Sequence, residues 1–103
     1  MQINFENREL KKLYETGKCR KYRIPEKLIR RFLIVVEMLK ASDTIYDLWK
    51  EPSLNFERLR GQEHSYSVRL DRKYRLEMEI EWENEEKTVG EIFLKEISLH
   101  YGD

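Results

Sequence analysis

Cysteine is almost missing from this chain of 103 residues: there is one, Cys19, so no internal disulfide can form. It lies between Lys18 and Arg20 with neither a second cysteine nor a paired base, and is read as incidental. Two histidines, His64 and His100, lack metal-ligand spacing, so neither a metal nor another cofactor is expected. No apolar run approaches the length of a membrane span. The first ten residues alternate polar and apolar side chains and lack the apolar core of a signal peptide. A cytoplasmic protein with no membrane partner is therefore expected. Repeats, low-complexity stretches and linkers are also missing, so residues 1–103 read as one domain around a modest core.

There is no net charge, and that balance hides an asymmetry. Residues 1–40 carry eleven basic and five acidic side chains, residues 41–76 seven and six, and residues 77–103 two and nine. A basic front and an acidic tail suit a polyanion on one surface and solvent or a basic partner on the other; plain solvation of charged faces is the competing reading.

The apolar spacing predicts α+β. Gln2–Phe5 is a short strand. Asn7–Thr16 is a helix with Leu10, Leu13 and Tyr14 on one face and Gly17 as its stop. Pro25 opens a second helix that runs to about Ala41, with Ile29, Phe32, Val36 and Leu39 along one side and Leu28, Leu33 and Val35 widening it. Ser42-Asp43 is a candidate cap for a third helix, Thr44–Trp49, in a region closed by Pro52. The period then changes to two. Tyr66, Val68 and Leu70 alternate with Ser65, Ser67 and Arg69; Tyr74, Leu76, Met78, Ile80 and Trp82 alternate with Arg75 and four glutamates. A tight loop at Asp71–Lys73 joins the two. Asn84–Lys87 is a polar turn before a last strand, Val89–Leu99, with Phe93, Ile97 and Leu99 assigned to one side. Trp49 and Trp82 are assigned to the core. The expected architecture is an N-terminal strand and two or three helices packed on one face of an antiparallel β-sheet whose other face is polar.

If Leu70 faces Tyr74 across the tight loop, Arg69 faces Arg75. Like charges directly opposite each other destabilise a sheet. The pair makes sense around an anion such as a phosphate; alternatively each arginine has a carboxylate partner such as Glu57 or Glu77. Metal-free RNA cleavage needs a base for the 2′-hydroxyl, cations for the phosphorane oxygens and an acid for the leaving 5′-oxygen. Glu57, Arg69, Arg75 and His100 are the residue types for that set, although none is rare alone. The expectation is that all four reach one phosphate from a concave face. Because Arg75 and His100 lie outside the apolar rows, replacing either is expected to leave the fold intact.

Three segments together resemble the RelE superfamily of bacterial toxins, nearest the HigB and YoeB types. They are Glu57-Arg58-Leu59-Arg60-Gly61; the hairpin Tyr66-Ser67-Val68-Arg69-Leu70 with its return Tyr74-Arg75-Leu76; and the terminal His100-Tyr101. The helical half is similar to HigB in length and pattern, while Glu57 and the His-Tyr ending are similar to YoeB. HigB proteins can carry histidine where this chain has Glu57, and an aromatic where it has Leu99. The resemblance implies a RelE-like fold and the toxin of a type II toxin-antitoxin pair, a ribosome-dependent mRNA endonuclease. It implies Glu57 as general base, Arg69 and Arg75 on the scissile phosphate, His100 as general acid and Tyr101 positioning or stacking on a base. Lys18, Arg20, Lys21, Arg23, Arg58, Arg60, Arg72 and Lys73 would then grip RNA phosphates. The implied partners are a cognate antitoxin, the ribosome and mRNA. The alternatives are a non-catalytic inhibitor like the ParE proteins and a binding module that has lost catalysis; Glu57 and His100 argue against the first.

Overall fold

The computed structural model describes residues 1–99. The elements in order are β1 (Ile3–Phe5), α1 (Arg8–Thr16), α2 (Glu26–Ala41), α3 (Ile45–Trp49), a 3₁₀ turn (Pro52–Leu54), β2 (Glu57–Arg58), β3 (Ser65–Arg69), β4 (Tyr74–Trp82) and β5 (Gly90–Leu99). The five strands form one sheet in the order β1-β5-β4-β3-β2. All neighbours are antiparallel except β1 and β5, which run parallel, so the sheet is mixed rather than purely antiparallel. Connectivity allows the parallel pair: α1, α2 and α3 separate β1 from the meander, and a long crossover permits either direction.

Helix boundaries obey local chemistry. Asn7 caps α1, accepting from the N–H groups of Glu9 and Leu10, and Gly17 ends it in the left-handed region at φ 73°. Pro25 precedes α2, whose Leu28, Phe32, Val35, Val36 and Leu39 are buried while Ile29 and Leu33 sit at the margin. The cap of α3 is Thr44, not Ser42-Asp43. Thr44 and Asp47 form a reciprocal capping box, and the Ser42 hydroxyl bonds back to the Met38 carbonyl instead. The backbone N–H groups of Thr44 and Asp43 hold the Asp47 carboxylate below the ordinary aspartate range.

The helices cover one face of the sheet. Tyr66, Val68, Leu76, Met78, Ile80, Ile92, Leu94 and Ile97 bury the strand side of the core against α1 and α2. Phe93 is therefore not on the side of Ile97. The register passes from Glu77↔Glu96 to Met78↔Leu94, so Lys95 is an extra residue in β5. That bulge inverts the alternation, putting Ile92 and Leu94 in the core and Phe93 half-buried on the opposite face. Trp49 is not core either: it is 50 % exposed, at the outer end of an aromatic ladder. Its ring meets Phe56 edge-on at 4.6 Å, Phe56 stacks on Tyr66 at 5.0 Å, and Tyr66 meets Trp82 at 6.1 Å.

Asn7 joins layers as well as capping. Its Nδ2 donates to the Tyr22 hydroxyl at 2.9 Å and to the carbonyl of the bulged Lys95 at 3.1 Å. Asn7→Ala is expected to destabilise by about 2–3 kcal/mol, above the roughly 1 kcal/mol of a simple cap, because two further polar groups lose a donor. Asn7→Asp, which keeps the cap and loses the donors, should fall between. Urea denaturation checks both; an Asn7→Ala loss no larger than a simple cap would show that the bonds to Tyr22 and Lys95 contribute nothing.

Candidate active site

The site is built from the β2–β3–β4 end of the open sheet face. Phe56 is buried against Tyr66, so period two turns Glu57 to the open face and Arg58 back toward the helix side, opposite Tyr66. Glu57, Ser67, Glu77 and Glu96 form one row across β2, β3, β4 and β5. The next row is Arg69, Arg75 and Ser98, so the two arginines are direct cross-strand neighbours as their spacing in sequence required.

The two arginines differ sharply in environment. Arg69 is exposed and has no carboxylate partner among the described residues. Arg75 is 3 % exposed although it lies on the polar face. Its side chain leans diagonally toward β2. Nε donates to the Ser67 hydroxyl at 2.8 Å, and Nη2 donates to the carbonyls of Asn55 at 2.6 Å and Ser67 at 3.2 Å. Nη2 also lies 3.7 Å from the Glu57 carboxylate, which is half-exposed. Burial pushes the guanidinium below the ordinary arginine value, Glu57 draws it up and Arg69 pushes it down. It remains charged at any physiological pH. The carboxylate reading thus holds for Arg75 alone, and Arg69 is an open cation beside it.

The structure brings Glu57, Arg69 and Arg75 together; His100 and Tyr101 lie outside the described residues. Ser67 and Asn55 belong to the site and were not singled out from the sequence. Ser67 signals itself only as a small polar residue between two glutamates in a row, which becomes visible once the register is known. Asn55 follows Pro52-Ser53-Leu54 and takes a left-handed conformation at φ 42°, a role that asparagine tolerates.

The basic residues fall into separate groups. Lys18, Arg20 and Arg23 of the connector after α1 line a shallow depression of about 350 Å³ with Lys12 of α1, and Lys21 of the same connector lies over the Tyr22 ring. Arg72 and Lys73 are exposed at the hairpin tip, where Leu70 and Asp71 border a cleft with Lys27 and Arg31 of α2. Arg58 and Arg60 lie toward the opposite end of β3, roughly 15 Å away at strand rise. On the open face Glu77, Glu79, Glu81, Glu91 and Glu96 make an acidic shoulder, relieved by Lys95 between Glu6 and Glu79. Among the described residues no acidic, histidine or cysteine group is placed to hold a metal, and no helix is long and apolar enough to cross a membrane.

Residues 3–95 match the family described as the RelE-like toxin of the type II toxin-antitoxin system HigB. The chain belongs to the HigB-like toxin family. It is thereby a type II toxin of the RelE/ParE superfamily, and the family implies an antitoxin partner. A YoeB/ParE toxin from Agrobacterium tumefaciens has the same fold, with a TM-score of 0.56 at 13 % identity over 98 % of this chain and 100 % of that one. At that identity the likeness concerns the fold alone. No curated protein matches the chain.

Arg75 is buried, so the expectation that its replacement leaves the fold intact overlooks a cost in stability. Arg75→Ala strands the Ser67 hydroxyl and the Asn55 carbonyl, and is expected to cost about 2–4 kcal/mol. Arg69→Ala should stay within about 0.5 kcal/mol of the parent, since it removes an exposed charge facing a like charge. Chemical denaturation of the two variants checks the contrast; equal stability would contradict the buried network.

Proposed function

We propose that this single toxin domain is a ribosome-dependent endoribonuclease that cleaves mRNA by metal-free attack of the 2′-hydroxyl. One observation carries the reading: a half-exposed carboxylate, Glu57, stands beside one held and one open guanidinium on the same sheet face. Glu57 takes the proton of the 2′-hydroxyl. Arg69, free to reach outward, contacts the scissile phosphate. Arg75, already fixed by Ser67 and Asn55, supplies a preorganised positive field for the developing phosphorane charge. His100 protonates the leaving 5′-oxygen, and Tyr101 stacks on or positions a base.

The acidic shoulder supports an approach from the hairpin end, where Arg69, Arg72 and Lys73 face the polyanion with the basic connector beyond. The ribosome supplies what a shallow open face lacks, an in-line conformation of the message. Lys18, Arg20, Lys21 and Arg23 contribute salt-sensitive contacts to RNA phosphates, and Arg58 and Arg60 a second set. The site of action is the cytoplasm, where ribosomes are. A non-catalytic inhibitor on the same fold has no need of a carboxylate beside paired arginines, which favours the nuclease reading.

The experiment is cleavage of a defined transcript by purified protein, with and without programmed ribosomes, across a salt series. Ribosomes should accelerate cutting, and added salt should weaken it steeply. Arg69→Ala should lose less than the order of 10²–10³ in rate that goes with one preorganised donor, because its guanidinium is exposed and not held. His100→Ala should lose roughly 10²–10⁴, the scale for a general acid. Thermal melting controls for folding. Full activity of a folded Glu57→Gln protein would remove the base, and rapid cutting of free RNA indifferent to ribosomes would remove the ribosome requirement.

A further inference from the structure

The residue that sets the geometry of this site is neither the carboxylate nor the cation but the one that touches both. Asn55 closes the 3₁₀ turn, its N–H donating to the Pro52 carbonyl at 3.1 Å, with φ 42° and ψ 55°. That left-handed conformation reverses the chain into β2. It also aims the Asn55 carbonyl at Arg75 Nη2, the 2.6 Å contact. The side chain of the same residue reaches Glu57, with Nδ2 donating to Oε1 at 3.5 Å. The other oxygen, Oε2, faces Arg75 at 3.7 Å. The Glu57 carboxylate is thus bracketed, one oxygen by the Asn55 amide and the other by a guanidinium that the Asn55 backbone holds.

We infer that Asn55 is the positioning residue of the site, fixing the orientation of the Glu57 carboxylate relative to Arg75 through its amide and its carbonyl together. The inference rests on the nuclease reading above, in which Glu57 is the base. A carboxylate at the end of two methylene groups and half-open to solvent samples several rotamers. An amide on one oxygen and a cation near the other select the rotamer whose free lone pairs face the row of Arg69 and Arg75. Few side chains combine the two properties required. The left-handed backbone favours glycine or asparagine, and only asparagine of these carries a donor. Aspartate tolerates the backbone and inverts the side-chain chemistry.

That difference makes the test. Asn55→Gly keeps the backbone conformation and the carbonyl to Arg75 and deletes the amide. With the full chain on programmed ribosomes, it should lower kcat about tenfold, leave KM within about twofold and keep the protein folded. Asn55→Asp puts a second carboxylate against Glu57. Among the described residues the other charged groups around Glu57 on this face are Arg69 on β3, Arg75 and Glu77 on β4 and Glu96 on β5. A new like charge disfavours ionisation of Glu57, so the acid limb of the pH–rate profile should move to higher pH. A displaced limb shows that residue 55 adjoins Glu57; the fall in kcat at nearly constant KM in folded Asn55→Gly is the readout that a role confined to folding would not move. Full kcat in folded Asn55→Gly, or an unmoved acid limb in Asn55→Asp, overturns the inference. Glu57→Gln run in parallel separates the two failures: if it is inactive while Asn55→Gly is fully active, only the role of Asn55 falls; if Glu57→Gln is fully active, the base assignment falls first.

Discussion

A guanidinium buried on the polar face of a sheet has to be surrounded by acceptors, and much of this molecule's functional end is arranged around that requirement. Arg75 stands opposite another arginine, so its charge cannot be balanced within its own row. It reaches diagonally into the next row, where the Ser67 hydroxyl and carbonyl and the Asn55 carbonyl meet its N–H groups and Glu57 stands close by. Each of those partners depends on something further. Glu57 faces the open side because Phe56 is anchored between Trp49 and Tyr66 on the other. The Asn55 carbonyl points inward because the residue is left-handed. The aromatic ladder under the sheet and the polar cluster on top of it are two sides of the same two-residue strand.

The consequence is a division of labour between residues of the same type. The held arginine gives a fixed field and has little freedom left; the exposed one has the freedom to meet a ligand. A preorganised cation is worth more toward a developing charge than a mobile one, because no reorganisation accompanies the reaction. The acidic shoulder formed by β4 and β5 adds direction. The open face is acidic over most of its extent and basic at the hairpin end, so a chain with no net charge still has a polarised surface.

Much of this was legible in the sequence because it follows from short-range rules. The alternation in Ser65–Leu70 and Tyr74–Trp82, with a tight loop between, requires that Arg69 meet Arg75. Asn7, Gly17 and Pro25 mark helix ends by backbone chemistry that needs no partner. Where a reading failed, a contact that the alternation does not show had decided the matter, non-local for Phe93 and Trp49 and local for the cap of α3. Phe93 changes face because Lys95 bulges out of a ladder whose register is set by β4. Thr44 displaces Ser42-Asp43 as a cap because Asp47 completes the box. Trp49 is half-exposed because the ladder it belongs to ends at the surface.

By itself the sequence determined the class of fold, the extents of α1 and α2, the hairpin and the residue types available for chemistry, since periodicity and capping act within a few residues. It could not determine that β1 would run parallel to β5, that Arg75 would be buried while Arg69 stayed open, or that Asn55 would join a carboxylate to a cation. Those outcomes depend on which acceptors stand within about 3 Å of a donor once distant segments pack. Two arginines that look equivalent in an alternating pattern become different groups only when one has three acceptors beside it and the other stays exposed.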